Sequence, residues 1–199
     1  MCCACPLSAE KAPAGYGLGT TANTIKLASP DDATAFGLCC CDVESPLGTD
    51  TLFNYLTIPY NSYYATQIAF RTVLSQTQIA VRQKNGGTWQ PWEWPDPPME
   101  LGVEYRTTER HRGKVVYAKT FDFGTLPNGT YRAVGWASSG YATAVLRVSG
   151  VASDGTTIPY TTNGGKRLDI SGAPTWVVIY SESDNSAYTA TVTVWFTKD

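Results

Sequence analysis

The chain has 199 residues, a formal net charge of −2 and only 16% charged residues, so it lacks the basic surface that nucleic-acid binding requires. No apolar run reaches the roughly eighteen residues that a membrane-spanning helix needs. The start, MCCACPLSAEK, has neither the basic nor the apolar region of a secretory signal peptide. These features predict a globular protein that is made in the cytoplasm, with no nucleic-acid partner and no membrane insertion.

The cysteines form two clusters near the start of the chain: Cys2, Cys3, Cys5, Cys39, Cys40 and Cys41. Four thiolates could bind zinc if the clusters met. However, the chain has no C-x-x-C pair, and adjacent cysteines fit poorly around one tetrahedral ion. Reduced thiols in a flexible N-terminal segment, residues 1–14, are therefore favoured over a metal site, and zinc remains the alternative. No cofactor is expected.

Short apolar or alternating runs, separated by turn residues, follow each other along most of the chain. They predict strands at 66–73, 77–84, 103–107, 114–121, 131–137, 143–150, 166–170, 175–182 and 188–198. Asn-Gly and Asp-Gly pairs between them supply the positive φ of tight hairpins. One short helix is predicted at GTDTLFNYL (48–56), stopped by TIPYN. The predicted fold class is mainly β.

The stretch TWQPWEWPDPP closes a front domain. It follows NGG, so it predicts a short return strand that Pro91 makes irregular. The prolines of 95–98 favour an extended conformation, which is typical of a boundary. The prediction is a domain at 15–95, a Pro-rich linker at 96–100 and a second domain at 101–199.

The second domain predicts an antiparallel, jelly-roll-like β-sandwich. In its last strand, Ala190, Val192, Val194 and Phe196 share one face, whereas threonines and Trp195 share the other. About seven strands in one hundred residues, each with one polar face, are typical of such a sandwich.

Catalytic patterns are scarce. The single histidine, His111, lies between two arginines and is predicted to be an exposed loop residue. Carboxylate pairs for glycoside hydrolysis exist in principle, Glu104 with Glu109 and Glu182 with Asp184. A solvated hairpin and turn capping explain these carboxylates better, so the chain is predicted not to be an enzyme and to hold no metal.

Aromatic residues carry the clearer functional signal, because flat rings beside amides and carboxylates are suited to sugars. The predicted ligand-binding residues are Trp136, Tyr141, Asn163, Asp184, Asn185 and Trp195. Packing against another subunit is the alternative for Trp195 and Tyr141. Trp176, on the strand WVVIY, is predicted to face the core.

Two segments resemble phage and prophage tail fibres. TQIAFRTVLSQTQIAVRQKNGGTWQPWEW (66–94) is similar to the end of a pyocin-knob domain, with Gln67, Arg82, Trp89 and Trp92 at the motif positions. LGVEYRTTERHRGKVVYAKTFDFGTLPNGTYRAV (101–134) resembles the start of the C-terminal domain of many receptor-binding tail proteins, whose last strand resembles YTATVTVWFTKD.

The resemblance implies a non-catalytic distal tail-fibre module that is located in the virion tail and recognises the host surface. It implies a homotrimer, a host polysaccharide or glycan as ligand, and other tail proteins as partners. Two alternatives remain: a structural tail or baseplate adaptor that binds another phage protein, and a glycan depolymerase.

Overall fold

The computed structural model describes residues 25–26, 29–32, 37–41, 46, 53–71, 78–138, 140–161 and 167–199, with the backbone alone at 25–26, 32, 37–41 and 161. This part of the chain consists of fifteen strands and one 3-10 turn, with no α-helix. The chain divides into two compact units, Met1–Trp92 (unit 1) and Glu93–Asp199 (unit 2). The mainly β fold class is therefore confirmed. The predicted flexible segment 1–14, with Cys2, Cys3 and Cys5, lies outside the described residues.

Unit 1 is built on one six-stranded sheet in which every pair of neighbours is antiparallel except the first. Its strands, in sheet order, are β1 (Ile25–Lys26), β2 (Gly37–Cys41), β3 (Phe53–Pro59), β4 (Ala65–Arg71), β5 (Ile79–Asn85) and β6 (Thr88–Trp89). The sheet order follows the chain order, and the described connections β3–β4 and β5–β6 are hairpins between antiparallel neighbours.

The helix predicted at 48–56 is wrong where the structure describes it. Residues 53–56 belong to β3, and residues 48–52 lie outside the described part of the chain. Phe53, Tyr55 and Thr57 alternate with more exposed residues and are buried on one face. The backbone of this alternating stretch is hydrogen-bonded to β4. This pairing outweighs the helix-capping signal of the Thr-Asp that precedes it in the sequence.

The motif residues of unit 1 form one cluster, in which Gln67 and Arg82 are buried and Trp89 and Trp92 are half-buried. The Arg82 guanidinium lies 4.5 Å from the ring centre of Trp89 and 4.3 Å from that of Trp92. Its Nε donates to Gln67 Oε1 at 2.9 Å, and its Nη2 lies 2.6 Å from Asp31 Oδ1. The arginine is thus held between two indoles and two polar partners, which stabilises the closing turn of the unit.

Unit 2 contains two antiparallel sheets. The first has the order β11 (Thr157–Ile158), β10 (Ala144–Ala152), β15 (Thr189–Thr197), β8 (Lys114–Thr125) and β7 (Glu104–His111); the second has the order β12 (Tyr160–Thr161), β13 (Arg167–Gly172), β14 (Trp176–Ser181) and β9 (Tyr131–Gly135). The inner faces of both sheets meet in one apolar core.

The alternation predicted for the last strand is confirmed. Ala190, Val192, Val194 and Phe196 are buried in this core, opposite Val177 and Ile179 of the second sheet and their neighbours. The two-layer arrangement buries one apolar face of each sheet and leaves the loops at the ends of the sheets available to form a site.

The segment before β7 forms part of unit 2. The backbone N–H of Trp94 donates to the Arg106 carbonyl at 2.9 Å, and its buried indole packs edge-on against Tyr105. Glu93 binds both Arg106 and Arg110. Glu93 and Trp94, which directly precede the prolines, therefore lie along β7.

Candidate ligand-binding cleft

One open cleft of about 270 Å³ lies among the loops at one end of unit 2. Its floor is apolar, and its rim carries two partly exposed tyrosines and five polar side chains. The lining residues are Leu126, Ala152, Asp154, Thr156, Tyr160, Arg167, Leu168, Ser183, Asn185 and Tyr188. This combination of apolar floor, ring faces and few polar groups is typical of small-ligand sites.

The β10–β11 turn forms one wall of the cleft. The Ala152 and Gly155 N–H groups close it by bonds to Thr156 and Ala152 carbonyls, and Gly155 takes the φ of +87° that the turn requires. Asp154 Oδ1 accepts a hydrogen bond from the Thr156 N–H at 2.9 Å. This backbone bond, with the Thr156 side chain, holds the pKa of Asp154 below its usual range, so the rim carries a fixed carboxylate.

The β14–β15 loop forms the opposite wall. The Asn185 amide donates to Ser181 Oγ at 2.6 Å, and its backbone N–H reaches the Pro127 carbonyl at 3.3 Å. The Tyr188 N–H donates to the Asn185 carbonyl at 3.0 Å. Because side-chain and backbone bonds fix this loop without a ligand, the Asn185 amide and the Tyr188 backbone are already oriented.

The two walls are joined to each other. The Ser153 N–H donates to the Thr189 carbonyl at 2.8 Å, and Ser153 Oγ accepts from the Thr189 N–H at 3.2 Å. Across the cleft, the Arg167 guanidinium lies 2.5 Å from Asp169, which raises the pKa of Arg167 further. The cleft thus offers the Asp154 carboxylate and the Arg167 guanidinium, which is already paired with Asp169, beside hydroxyls and an amide.

Of the predicted site residues, Asn185 lines this cleft and Asp184 is its exposed neighbour in the chain. Asp184 Oδ1 accepts from the hydroxyl and N–H of Ser186, and these bonds hold the pKa of Asp184 below its usual range. Asn163 lies outside the described residues.

Trp136 and Tyr141 lie in the core of unit 2 instead. The Trp136 ring is buried edge-on against Phe196 at 4.8 Å, and its Nε1 donates to the Ala173 carbonyl at 3.0 Å. Tyr141 is half-buried, and its hydroxyl donates to Glu104. Burial, and then this hydrogen bond, raise the pKa of Tyr141 to about 12. Both rings are therefore engaged within their own fold.

Trp195 lies on the outer face of the first sheet, away from the cleft lining, and is half-buried. The Arg147 guanidinium covers its ring at 4.4 Å and also binds Glu109 at 2.7 Å. One side of this indole is thus occupied by a cation of the same unit. The prediction that Trp195 faces outward is consistent with this position.

The carboxylates considered for glycoside hydrolysis have separate partners. Glu104 accepts from Tyr141 and lies 2.5 Å from Lys198, whereas Glu109 binds Arg147. His111 is exposed at the end of β7, next to the tight turn at Arg112 and Gly113. No group of three metal-ligating side chains occurs within the described residues.

The sequence signal for the cleft was present but incomplete. SDGT (153–156) and SDNS (183–186) are recognisable turns, and these turns supply Asp154, Thr156, Ser183 and Asn185. Tyr160 and Tyr188 were missed, because Tyr160 stands beside a turn and Tyr188 begins the predicted strand 188–198 on the same face as Ala190 and Val192. An aromatic residue within a few positions of each Asp-containing turn is the pattern that could have found them.

A second exposed aromatic surface lies on the outer face of the β9–β14 pair. Tyr131 stands directly opposite Tyr180, and Trp176 stands opposite Gly135. Their exposed fractions are 69%, 40% and 54% for Tyr131, Tyr180 and Trp176. The prediction that Trp176 faces the core is wrong, because WVVIY is apolar on both faces and Val177 and Ile179 take the core side. We call Tyr131, Trp176 and Tyr180 the aromatic strip.

Among the residues that the structure describes, no helix has the length and apolar character to span a bilayer. No protein-family model matches the chain, and no curated protein matches it.

Three solved structures of pyocin tail fibres are similar to 86% of this chain. They are an N-truncated R2-type pyocin fibre (10% identity, TM-score 0.30, 94% of that chain covered), an R1 pyocin fibre of P. aeruginosa (12%, 0.27, 66%) and an R2 pyocin fibre of P. aeruginosa (10%, 0.29, 64%).

Proposed function

We propose that the chain is a receptor-binding module of a tail fibre and that the cleft of unit 2 binds a glycan of the host surface without catalysis. The observation that carries the proposal is the cleft itself: Tyr160 and Tyr188 offer ring faces beside Asp154, Ser183 and Asn185. The apolar C–H face of a pyranose stacks on such rings, and its hydroxyls need fixed donors and acceptors.

The tail-fibre part of the proposal rests on the sequence motifs. Gln67, Arg82, Trp89 and Trp92 occupy the positions of the pyocin-knob motif and are in contact in unit 1. The second motif stretch, 101–134, supplies β7, β8 and β9 of unit 2. The proposed location is the virion tail, with other tail proteins as partners.

Open clefts of this size give weak single-site binding, so we propose that the chain acts as a homotrimer. Three linked sites raise the effective concentration of the glycan at the second and third sites, which strengthens attachment without new contacts. The threonines on the outer face of β15 offer hydroxyls and methyls for subunit pairing. A solution mass of three chains is the expected result, and a monomer would contradict this part.

The experiment for the cleft is a glycan array probed with the full chain, the variant Tyr160→Ala/Tyr188→Ala and the control Tyr131→Ala. All three residues are exposed tyrosines, so folding is expected to be unaffected. The double variant is expected to lose about tenfold or more in apparent affinity, which corresponds to one or two lost ring contacts. Equal binding by all three proteins would contradict the proposal.

A structural adaptor is the second candidate function, and the aromatic strip favours it. Its Tyr131 and Tyr180 are direct cross-strand partners and its Trp176 is exposed, and Trp and Tyr are the residue types that dominate protein interfaces. An adaptor would lose its protein partner when Trp176 is replaced by Ser and would bind no glycan on the array. Release of sugar from host cell wall would instead indicate a depolymerase.

A further inference from the structure

The hairpin that joins β3 to β4 carries the most exposed aromatic side chain of the described residues. Tyr60, Tyr63 and Tyr64 are 86%, 61% and 47% exposed, and Asn61 and Ser62 stand between them. We call residues 59–64 the tyrosine tip. Three large aromatic side chains in six residues, all facing water in a folded unit, are unusual enough to indicate a contact surface.

The tyrosine tip is held rigidly by its own backbone. The Tyr60 N–H donates to the Tyr64 carbonyl at 2.9 Å, and Asn61 Oδ1 accepts from the N–H groups of Tyr63 and Tyr64 at 2.8 and 2.9 Å. The Gly87 N–H of the neighbouring hairpin donates to the Tyr63 carbonyl at 3.0 Å. Little backbone entropy therefore remains to be lost when a ligand binds.

Gly87 also lies beside one of these rings. It has a φ of +88°, and a side chain at this position would begin 3.7 Å from Tyr63 Cδ1. The NGG turn thus supports the tip from a second hairpin in addition to closing its own. Rigid tyrosines with serine and asparagine between them are also the composition of antibody binding loops, where they give contact area at low entropic cost.

The absence of charged side chains from the tip indicates which ligands suit it. Residues 53–70 contain no charged side chain, so the tip itself offers no counter-ion; Lys84, which pairs opposite Ala65, has its ammonium 5.7 Å from the centre of the Trp89 ring. An ionised ligand that lost its water against the tip residues would find no compensating charge among them. The tip instead offers three phenol hydroxyls, a serine hydroxyl and flat ring faces, which together suit an uncharged ligand that is rich in hydroxyl groups.

We propose that the tyrosine tip of unit 1 is a separate binding site for an uncharged saccharide. The site does not involve the cleft of unit 2, and the inference does not depend on that cleft binding sugar. Each chain then has two sites for surface glycans, one on each unit.

The experiment is hydrogen exchange of the full chain, followed by mass spectrometry, with and without each member of a set of uncharged and acidic oligosaccharides. Peptides that contain residues 59–64 report on the tip, and peptides that contain 153–156 or 183–188 report on the cleft. At least one uncharged oligosaccharide is expected to slow exchange at the tip. Replacement of Tyr60, Tyr63 and Tyr64 by Ser is expected to abolish that slowing, whereas Tyr160→Ala/Tyr188→Ala leaves it intact.

Phenylalanine at the same three positions separates the contribution of the rings from that of the hydroxyls, since it keeps the rings and removes the hydroxyls. An intermediate loss of apparent affinity, smaller than that of the serine variant, is expected. The inference is overturned if no uncharged oligosaccharide protects the tip, or if only acidic ones do. It is also overturned if the tip is protected in the absence of sugar as protein concentration rises, because the tip then contacts a second copy. If no sugar protects the cleft peptides while the tip is still protected, only the proposed function is contradicted and this inference stands.

Discussion

Replacing Arg82 by alanine is expected to destabilise unit 1 selectively. The guanidinium is 8% exposed and lies between the rings of Trp89 and Trp92, and its Nε binds Gln67. Two cation–π contacts contribute about 0.5–2 kcal/mol each, and a buried hydrogen bond to a charged group contributes about 1.5–3 kcal/mol. Allowing for overlap, the free energy of unfolding should fall by roughly 3–5 kcal/mol.

The assay is native-state hydrogen exchange at increasing urea, because it reports on each unit separately. Amides of β4 and β5 should exchange at a lower urea concentration in Arg82→Ala, and amides of β15 in unit 2 should serve as the unchanged reference. Lys84→Ala is the matched control. Its ammonium lies farther from the Trp89 ring, at 5.7 Å, so a change below about 0.5 kcal/mol is expected.

A double-mutant cycle with Gln67→Ala tests whether the contacts are coupled as the geometry requires. The Gln67 amide donates to Thr57 Oγ1 at 2.9 Å and to the Pro30 carbonyl at 3.0 Å, and its Oε1 accepts from Arg82. A coupling energy of about 0.5–3 kcal/mol is expected for such a network. Additive single effects, or a shift in Arg82→Ala no larger than that of the lysine control, would refute the reasoning.

Three further predictions concern unit 2. Phe196→Ala should lower the free energy of unfolding by about 3–5 kcal/mol in urea titrations, since this ring is fully buried; a loss below about 1 kcal/mol would contradict its place in the core. Trp195→Ala should leave the unit folded by circular dichroism and remove only the contact with Arg147, worth about 0.5–1 kcal/mol at an exposed site. Failure to fold would show that the outer face is wrongly assigned. Because the pKa of Tyr141 is raised from 10.0 to about 12, the folded state holds its proton longer than the unfolded state, so stability should be intact below pH 10 and fall between pH 10 and 12. Tyr141→Phe should flatten that fall.

The strand content could be predicted because period-two patterns act locally. In the last strand, valines and threonines alternate without interruption, and the structure buries the valines. The same rule failed at Trp176, where both faces of the strand are apolar and nothing local indicates which one is inside. It failed again at residues 53–56, where a cap-like Thr-Asp preceded a strand that is fixed by pairing with β2 and β4.

The site was harder to predict, since it depends on which loops meet. Asn185 was identified from its turn chemistry, but Tyr160 becomes its neighbour only when β12 pairs with β13 at the edge of the second sheet. Conversely, Trp136 stands beside a serine- and glycine-rich turn and resembles a surface residue in the sequence. Its burial follows from packing against Phe196, sixty positions later in the chain.

The most direct test of the account is a crystal structure of the full chain with the oligosaccharide that binds best on the array. The account predicts a sugar ring against Tyr160 or Tyr188, with its hydroxyls within hydrogen-bond distance of Asp154 or Asn185. A saccharide bound to unit 2 outside this cleft, with the cleft filled only by solvent, would contradict the central claim.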